Sequence, residues 1–203
     1  MGALGDDALP ILVHPAKRGC YPSSVEDHIL RYRFLARLTS RETFMSQAQD
    51  PTQALIGFQG ALTAGFIQPS RSKLHSDLLV FHDEAEGTPR RTYALMDGKT
   101  VKAVAVYFLE KNIGAAPCFD IGYAVAEPYR RQGYAHAIVE KSLAQLNHEV
   151  QGQITQYFVE AIVPNDNHAS QKVAARALGA DPEQIRDRVS GKPSSKYLRL
   201  FKV

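Results

Sequence analysis

The chain has 203 residues, 44% of them hydrophobic and 22% charged, with a formal net charge of +3. That length suits one domain over residues 1–203 with a substantial core, and basic residues scattered rather than clustered argue against a dedicated nucleic-acid binder. Two cysteines, Cys20 and Cys118, give neither a disulfide framework nor a CxxC metal pattern, and no apolar run reaches membrane-spanning length, so the expectation is a cytoplasmic protein without metal or membrane. Residues 1–10 carry Asp6 and Asp7 and no basic segment, which does not read as a signal peptide, and Asp6 stands where a myristoylation signal needs Ser or Thr.

In chain order, residues 11–14 read as a short edge strand closed by Pro15. Ser23 with Glu26, and Thr39 with Glu42, are capping boxes. The first opens a helix carrying Ile29, Leu30, Phe34, Leu35 and Leu38, and the second a helix with Phe44 and Met45. Pro51 is placed to open a third helical piece over 52–66, weakened by Gly57, Gly60 and Gly65. Residues 78–82 read as a strand and 83–89 as a polar loop. A hairpin follows, with strand 91–96, the turn pair Asp97-Gly98 and strand 99–110. Its second strand is apolar on both faces, as a central strand covered from both sides should be.

After a loop at 112–117 comes strand 118–126, a basic loop, and a helix on which Ala135, Ile138, Val139, Ser142, Leu143 and Leu146 keep helical spacing. Residues 147–153 are polar and 156–163 form a strand, so strand, helix and strand make a crossover whose two strands run parallel. Pro164 ends that strand. Asn165, Asp166 and Asn167 offer N-caps for a helix containing Val173, Ala174, Ala177 and Leu178, stopped by Gly179. Segments 183–189 and 196–201 read as a closing hairpin. The order describes an α+β fold: a mixed, mostly antiparallel sheet with helices on both faces.

The chemistry concentrates after strand 118–126. Arg130, Arg131, Gln132, Gly133, Tyr134 and Ala135 join an apolar strand to a helix start, which is the make-up of an anion site. The first-turn N–H groups lack carbonyl partners, the helix dipole adds partial positive charge, and Gly133 lets the backbone approach a ligand. A phosphate-bearing ligand fits. The order Arg130-x-x-Gly133-x-Ala135 resembles the acyl-CoA-binding loop of the GNAT superfamily of N-acetyltransferases. A second segment, Asn167-x-x-Ser170 after a strand, a proline and a turn, resembles the ribosomal-protein N-terminal acetyltransferase branch.

The two motifs cover residues 91–203 as an acetyl-CoA-binding core and leave 1–90 for the acceptor side. The resemblance implies acetyl-CoA lying between strands 118–126 and 156–163. Its pyrophosphate is expected on the N–H groups of Gln132, Gly133, Tyr134 and Ala135, beside Arg130 and Arg131. Its pantetheine is expected on the backbone of Tyr123, Ala124 and Val125, with Asn167 and Ser170 on the helix side. A primary amine attacks the thioester in a ternary complex, and the acceptor is a protein or peptide amine or a small-molecule amine. Family habit adds a homodimer.

The attacking amine must lose a proton, which a carboxylate can take. Asp120 and Glu160 interrupt otherwise apolar strands and are the candidates; for each, the plainer role is a structural carboxylate held by a basic partner. Asp120 shares a strand face with Gly122 and Ala124, small enough to leave room for substrate. The helix tyrosine that many relatives use to protonate the thiolate is absent, Ala175 standing in its place, which leaves Ser170, Tyr197, Tyr129 or water. His136 and His168 read as structural or exposed, and no metal-ligand pattern occurs. The alternatives are a CoA-binding sensor with little turnover, and a toxin-like modifier of aminoacyl-tRNA.

Overall fold

The computed structural model describes residues 50–85 and 87–203. The elements are α1 (Pro51–Thr63), β1 (Ser70–Arg71), β2 (Leu78–Ala85), β3 (Thr88–Asp97), β4 (Thr100–Ile113), β5 (Ala116–Val125), a 3-10 turn (Glu127–Tyr129), α2 (Tyr134–Val150), β6 (Gln156–Pro164), α3 (His168–Leu178), β7 (Glu183–Arg186) and β8 (Pro193–Lys202). The strands form one sheet in the order β1-β2-β3-β4-β5-β6-β8-β7. Only the β5–β6 pair, joined through α2, is parallel. The expected α+β architecture and the parallel crossover are present.

Side chains alternate along each strand, so the sheet has two apolar faces. Tyr93, Leu95, Ala105, Tyr107, Phe119, Ile121, Tyr157 and Val159 pack with Ile138, Val139 and Leu146 of α2 and Val173, Ala174 and Leu178 of α3. Ala94, Val101 and Val104 pack on the other face with Leu55 and Phe58 of α1. β4 contributes to both cores, as its doubly apolar sequence requires. No described helix is long and apolar enough to cross a membrane.

Several boundaries differ from the sequence expectations, each for a physical reason. The polar run 83–89 is mostly strand: Asp83 pairs in register with Arg90 and takes its guanidinium, so the charges sit inside a ladder. The β3–β4 turn falls one residue later than expected, because Asp97 pairs with Thr100 and a bulge at Leu95/Met96 absorbs the offset. The expected loop at 112–117 shrinks to Gly114-Ala115, where Gly114 has φ 61°. Helix α2 runs on through the polar residues to Val150, which is buried; Gln145 donates to Glu149 one turn on, and Tyr157 to Asn147. Helix α1 is capped by Asp50, whose carboxylate accepts from the Thr52 N–H at 2.8 Å. The expected strand at 11–14 and the helices after Ser23 and Thr39 lie outside the described residues.

Candidate active site

Among the described strands, the sheet is forked at its only parallel pair. β5 and β6 pair at Cys118–Phe158, Phe119–Val159 and Asp120–Glu160, and no further. Beyond that point β5 stays with β4 as far as Val125, while β6 stays with β8 as far as Pro164. Among the described strands, residues 121–125 and 161–164 therefore have no partner on the sides that face each other. Their inward backbone groups line a wedge open to another hydrogen-bonding chain. Tyr123, Ala124 and Val125 lie along one edge of it. Tyr123 reaches across, its hydroxyl donating to the Ser170 carbonyl at 2.7 Å. Burial pushes that hydroxyl up to about 12. Asn167 caps α3, its side-chain oxygen accepting from the Ser170 N–H at 3.1 Å, so Asn167 and Ser170 sit together on the helix side of the wedge.

The mouth of the fork is built from the basic loop. The Arg130 guanidinium folds back to donate to the Val125 carbonyl at 3.2 Å, and the Gln132 amide donates to the Pro128 carbonyl at 3.0 Å. Arg131 holds φ 60° and Gly133 φ 84°, two left-handed residues separated by one position. Arg131 is the only non-glycine with positive φ among the described residues, a conformation that costs about 1–2 kcal/mol without a Cβ-free residue. Such strain gathers at ligand clamps. Gly133 is the N-cap of α2 and supplies no side-chain cap, so the first-turn N–H groups stay available. A Cβ added at Gly133 would meet nothing within 4 Å, so the space over it is open. Residues 130–133 are exposed, and Tyr134 and Ala135 are half-buried. The Tyr134 ring packs against Tyr129, and the Lys102 ammonium lies 4.7 Å from its centroid.

At the apex, Asp120 and Glu160 are register neighbours on the α1 side of the sheet. Glu160 is held from both sides: Lys111 Nζ lies 2.6 Å from its Oε1 and Lys196 Nζ 3.8 Å from its Oε2. Lys111 also lies 3.8 Å from Asp120 Oδ1. The Glu160 side chain keeps 3% of its exposure and the Asp120 side chain 29%. Burial works against the charge on Lys111, but the Glu160 hydrogen bond and the nearby Asp120 outweigh it and its pKa is raised. Cys118 faces the same cluster; burial, then Glu160 and Asp120, push its thiol up to about 11. That is a neutral thiol rather than a nucleophile. Donor atoms of Cys118, Asp120 and Glu160 lie within 4.8 Å of one another, with the lysine ammonium groups already engaging the carboxylates.

Two features escaped the sequence. The room expected over Gly122 is taken by Pro51: a Cβ on Gly122 would lie 2.9 Å from Pro51 Cγ. Helix α1 thus begins directly on β5, beside Asp120. Lys111 and Lys196 were also missed, because each reads as an ordinary charge at a strand end until the sheet brings them to Glu160. Of the candidate proton donors, Tyr129 is engaged with Asp97 at 3.3 Å. Tyr197 lines a shallow hollow with His168, Gln171, Lys172 and Ala175, while Ser170 is the one tied to the wedge through Tyr123.

A family profile described as acetyltransferase (GNAT) family matches residues 57–180. No functionally curated protein matches the sequence. Among solved structures the chain is similar to the GNAT domain of S. lividans PAT, at 19% identity over 56% of this chain and 61% of that one, with a TM-score of 0.40. It is similar to a spermidine N-acetyltransferase SpeG chimera from Vibrio cholerae and hSSAT, at 10% identity over 55% and 66%, with a TM-score of 0.44. It is also similar to a Salmonella typhimurium acetyltransferase that modifies the N-terminal serine of a 50S ribosomal subunit protein, at 20% identity over 56% and 64%, with a TM-score of 0.39. Each match spans less than two thirds of the other chain. The profile covers more than half of the 203 residues, and on that ground the chain belongs to the acetyltransferase (GNAT) family.

Proposed function

We propose that the chain is an N-acetyltransferase that moves the acetyl group of acetyl-CoA to a primary amine. The observation that carries this is the fork: an unpartnered strand edge at 121–125 leading directly to an uncapped helix start behind two left-handed residues. An extended amide-bearing arm ending in a pyrophosphate fits these two features in sequence. Acetyl-CoA supplies the activated acetyl thioester. Gln132, Gly133, Tyr134 and Ala135 hold the pyrophosphate through backbone N–H groups, with Arg130 and Arg131 adding charge. Tyr123, Ala124 and Val125 take the pantetheine arm as an added strand.

Asp120 is the better-placed proton acceptor for the incoming amine, since its side chain keeps 29% exposure where Glu160 keeps 3%. Glu160 holds Lys111, which also lies 3.8 Å from Asp120. Ser170, on the turn tied to Tyr123, is the donor to the departing thiolate. The acceptor is a protein or peptide amine or a small-molecule amine; the likened structures include acceptors of both kinds and set the panel to be tried. A second reading, a CoA-binding sensor with little turnover, is favoured by Ala175 in place of the helix tyrosine.

The deciding experiment follows release of CoA thiol with peptide N-termini, lysine peptides, aminoglycosides and polyamines, for wild type, Asp120→Asn and Glu160→Gln. Turnover that Asp120→Asn abolishes supports the transferase. Binding of acetyl-CoA without turnover on any amine supports the sensor.

A further inference from the structure

Strand β4 carries one extra residue where it passes the apex of the fork. Up to Leu109 its odd-numbered residues pair with Phe119, Ile121 and Tyr123 and face the α2–α3 core. The register then shifts between Leu109 and Lys111, so Lys111 stands opposite Cys118. Without the bulge it would stand opposite Pro117 and point toward the helices. One inserted residue turns a side chain to the other face, and bulges re-aim side chains in this way. Here the bulge aims Lys111 at Asp120 and Glu160.

The consequence is electrostatic. Asp120 and Glu160 bring two negative charges, and Lys111 and Lys196 bring two positive ones. Glu183, which also holds Lys196, lies on the edge strand β7 with its side chain 64% exposed, where solvent screens it. Among the described residues, the remaining titratable group of the cluster is Cys118, a neutral thiol. An amine that arrives as a cation therefore finds the Lys111 ammonium already standing between the carboxylates it would pair with. The geometry points to Lys111 as the selectivity residue of the acceptor site: it turns away cationic amines and admits amines that arrive neutral, a far larger share of peptide α-amines than of lysine amines. This inference rests on the transferase reading above.

The chemistry of the acceptors gives the selectivity its size. With unperturbed values of about 7.7–8.0 for an α-amine and about 10.4 for lysine, roughly a quarter of the α-amines but only about one lysine amine in a thousand are neutral near pH 7.4. A site with uncompensated carboxylates offsets that disadvantage by binding the ammonium and deprotonating it in place. A neutralised site does not draw the ammonium in, so Asp120 takes the proton after a neutral amine has attacked.

The experiment compares kcat/KM for a peptide with a free α-amine, a lysine peptide with a blocked N-terminus, and spermidine, at saturating acetyl-CoA. Wild type is run beside Lys111→Met, which removes the charge, Lys111→Gln, which keeps a donor to Glu160, and Lys111→Arg, which keeps the charge. The preference for the α-amine is expected to fall about tenfold, the equivalent of one pKa unit, in Lys111→Met and Lys111→Gln, and to persist in Lys111→Arg. Wild type alone supplies an independent arm that does not depend on any variant folding. Tetramethylammonium, a cation with no lone pair to react, is expected not to compete with the acceptor. Competitive inhibition of wild type by tetramethylammonium overturns the inference, as does unchanged selectivity in folded variants that bind acetyl-CoA. Absence of turnover on every amine, in wild type and variants alike, overturns the transferase reading instead.

Discussion

The two ends of β5 hold their surroundings by opposite means. At the mouth, the ligand-facing groups are backbone: the open edge at 121–125, the left-handed Arg131 and Gly133, and a helix start with no side-chain cap. At the apex, everything is side chain. Cys118, Asp120, Glu160, Lys111 and Lys196 converge from β4, β5, β6 and β8, with Glu160 almost fully buried. The mouth is suited to grip any molecule of the right backbone-like shape and charge, whereas the apex discriminates by charge and proton affinity. On the proposed reading, binding and selection would be separated along one strand, β5.

The largest effect on this comparison is expected at the mouth. Gly133→Glu places a Cβ at φ 84° and a negative charge over the N–H groups that would hold a phosphate. Calorimetry is expected to show CoA affinity reduced about a hundredfold or more by the carboxylate set where a phosphate would sit, while the left-handed penalty of about 1–2 kcal/mol lowers Tm. Unchanged affinity would mean that the mouth is not a phosphate site. Next, Gly122→Ala tests the junction between apex and mouth, where Pro51 Cγ would lie 2.9 Å from the new Cβ. Overpacking of this kind costs about 1–3 kcal/mol, read as a lower Tm. Pro51→Ala in the same chain is expected to recover part of the loss.

A smaller effect is expected for Tyr123→Phe, which removes the hydrogen bond to the Ser170 carbonyl. A stability loss of about 0.5–1.5 kcal/mol is expected, with a rise in KM for acetyl-CoA as the wedge loosens. An unmoved KM would leave the contact purely structural. Glu149, at the far end of α2, serves as a charged cluster outside the fork. Burial pushes its carboxyl up, but hydrogen bonds from His82, Gln145 and Tyr93 outweigh burial and hold its pKa below the usual value. Its contribution is therefore complete above the unfolded value, about pH 4.3, and is lost as pH falls through the lower folded value. Chemical denaturation across that range is expected to show a flatter acid limb in Glu149→Gln. The smallest change is expected from Arg131→Gly, which relieves the left-handed strain by about 1 kcal/mol. It is expected to raise Tm slightly while weakening CoA binding through the lost charge.

The same division explains what could be read from the sequence. The mouth was legible because backbone sites leave local marks: Arg130, Gly133 and Ala135 follow one another within six positions between a strand and a helix. Asn167 was legible among three N-cap candidates for the same reason, and it is the one that caps the helix. Asp120 and Glu160 stood out as carboxylates in apolar strands, but their shared register could not be known, since it depends on how β5 and β6 align. Lys111 was hidden because the bulge that turns it lies in a run that reads as plain strand. The space over Gly122 was misjudged because its occupant, Pro51, is separated from it by most of the sheet. The polar run at 83–89 misled for want of the Asp83–Arg90 pair. Contacts between elements, rather than propensities, made each of these differences.

Amide hydrogen exchange of the full chain, with and without CoA, addresses the backbone character of the mouth most directly. Slowed exchange is predicted at residues 123–125 and 132–135 together, since both stretches would donate or shelter N–H groups in the complex. CoA binding that leaves both stretches exchanging at their free rates would contradict it, and so would a complete failure of CoA to bind.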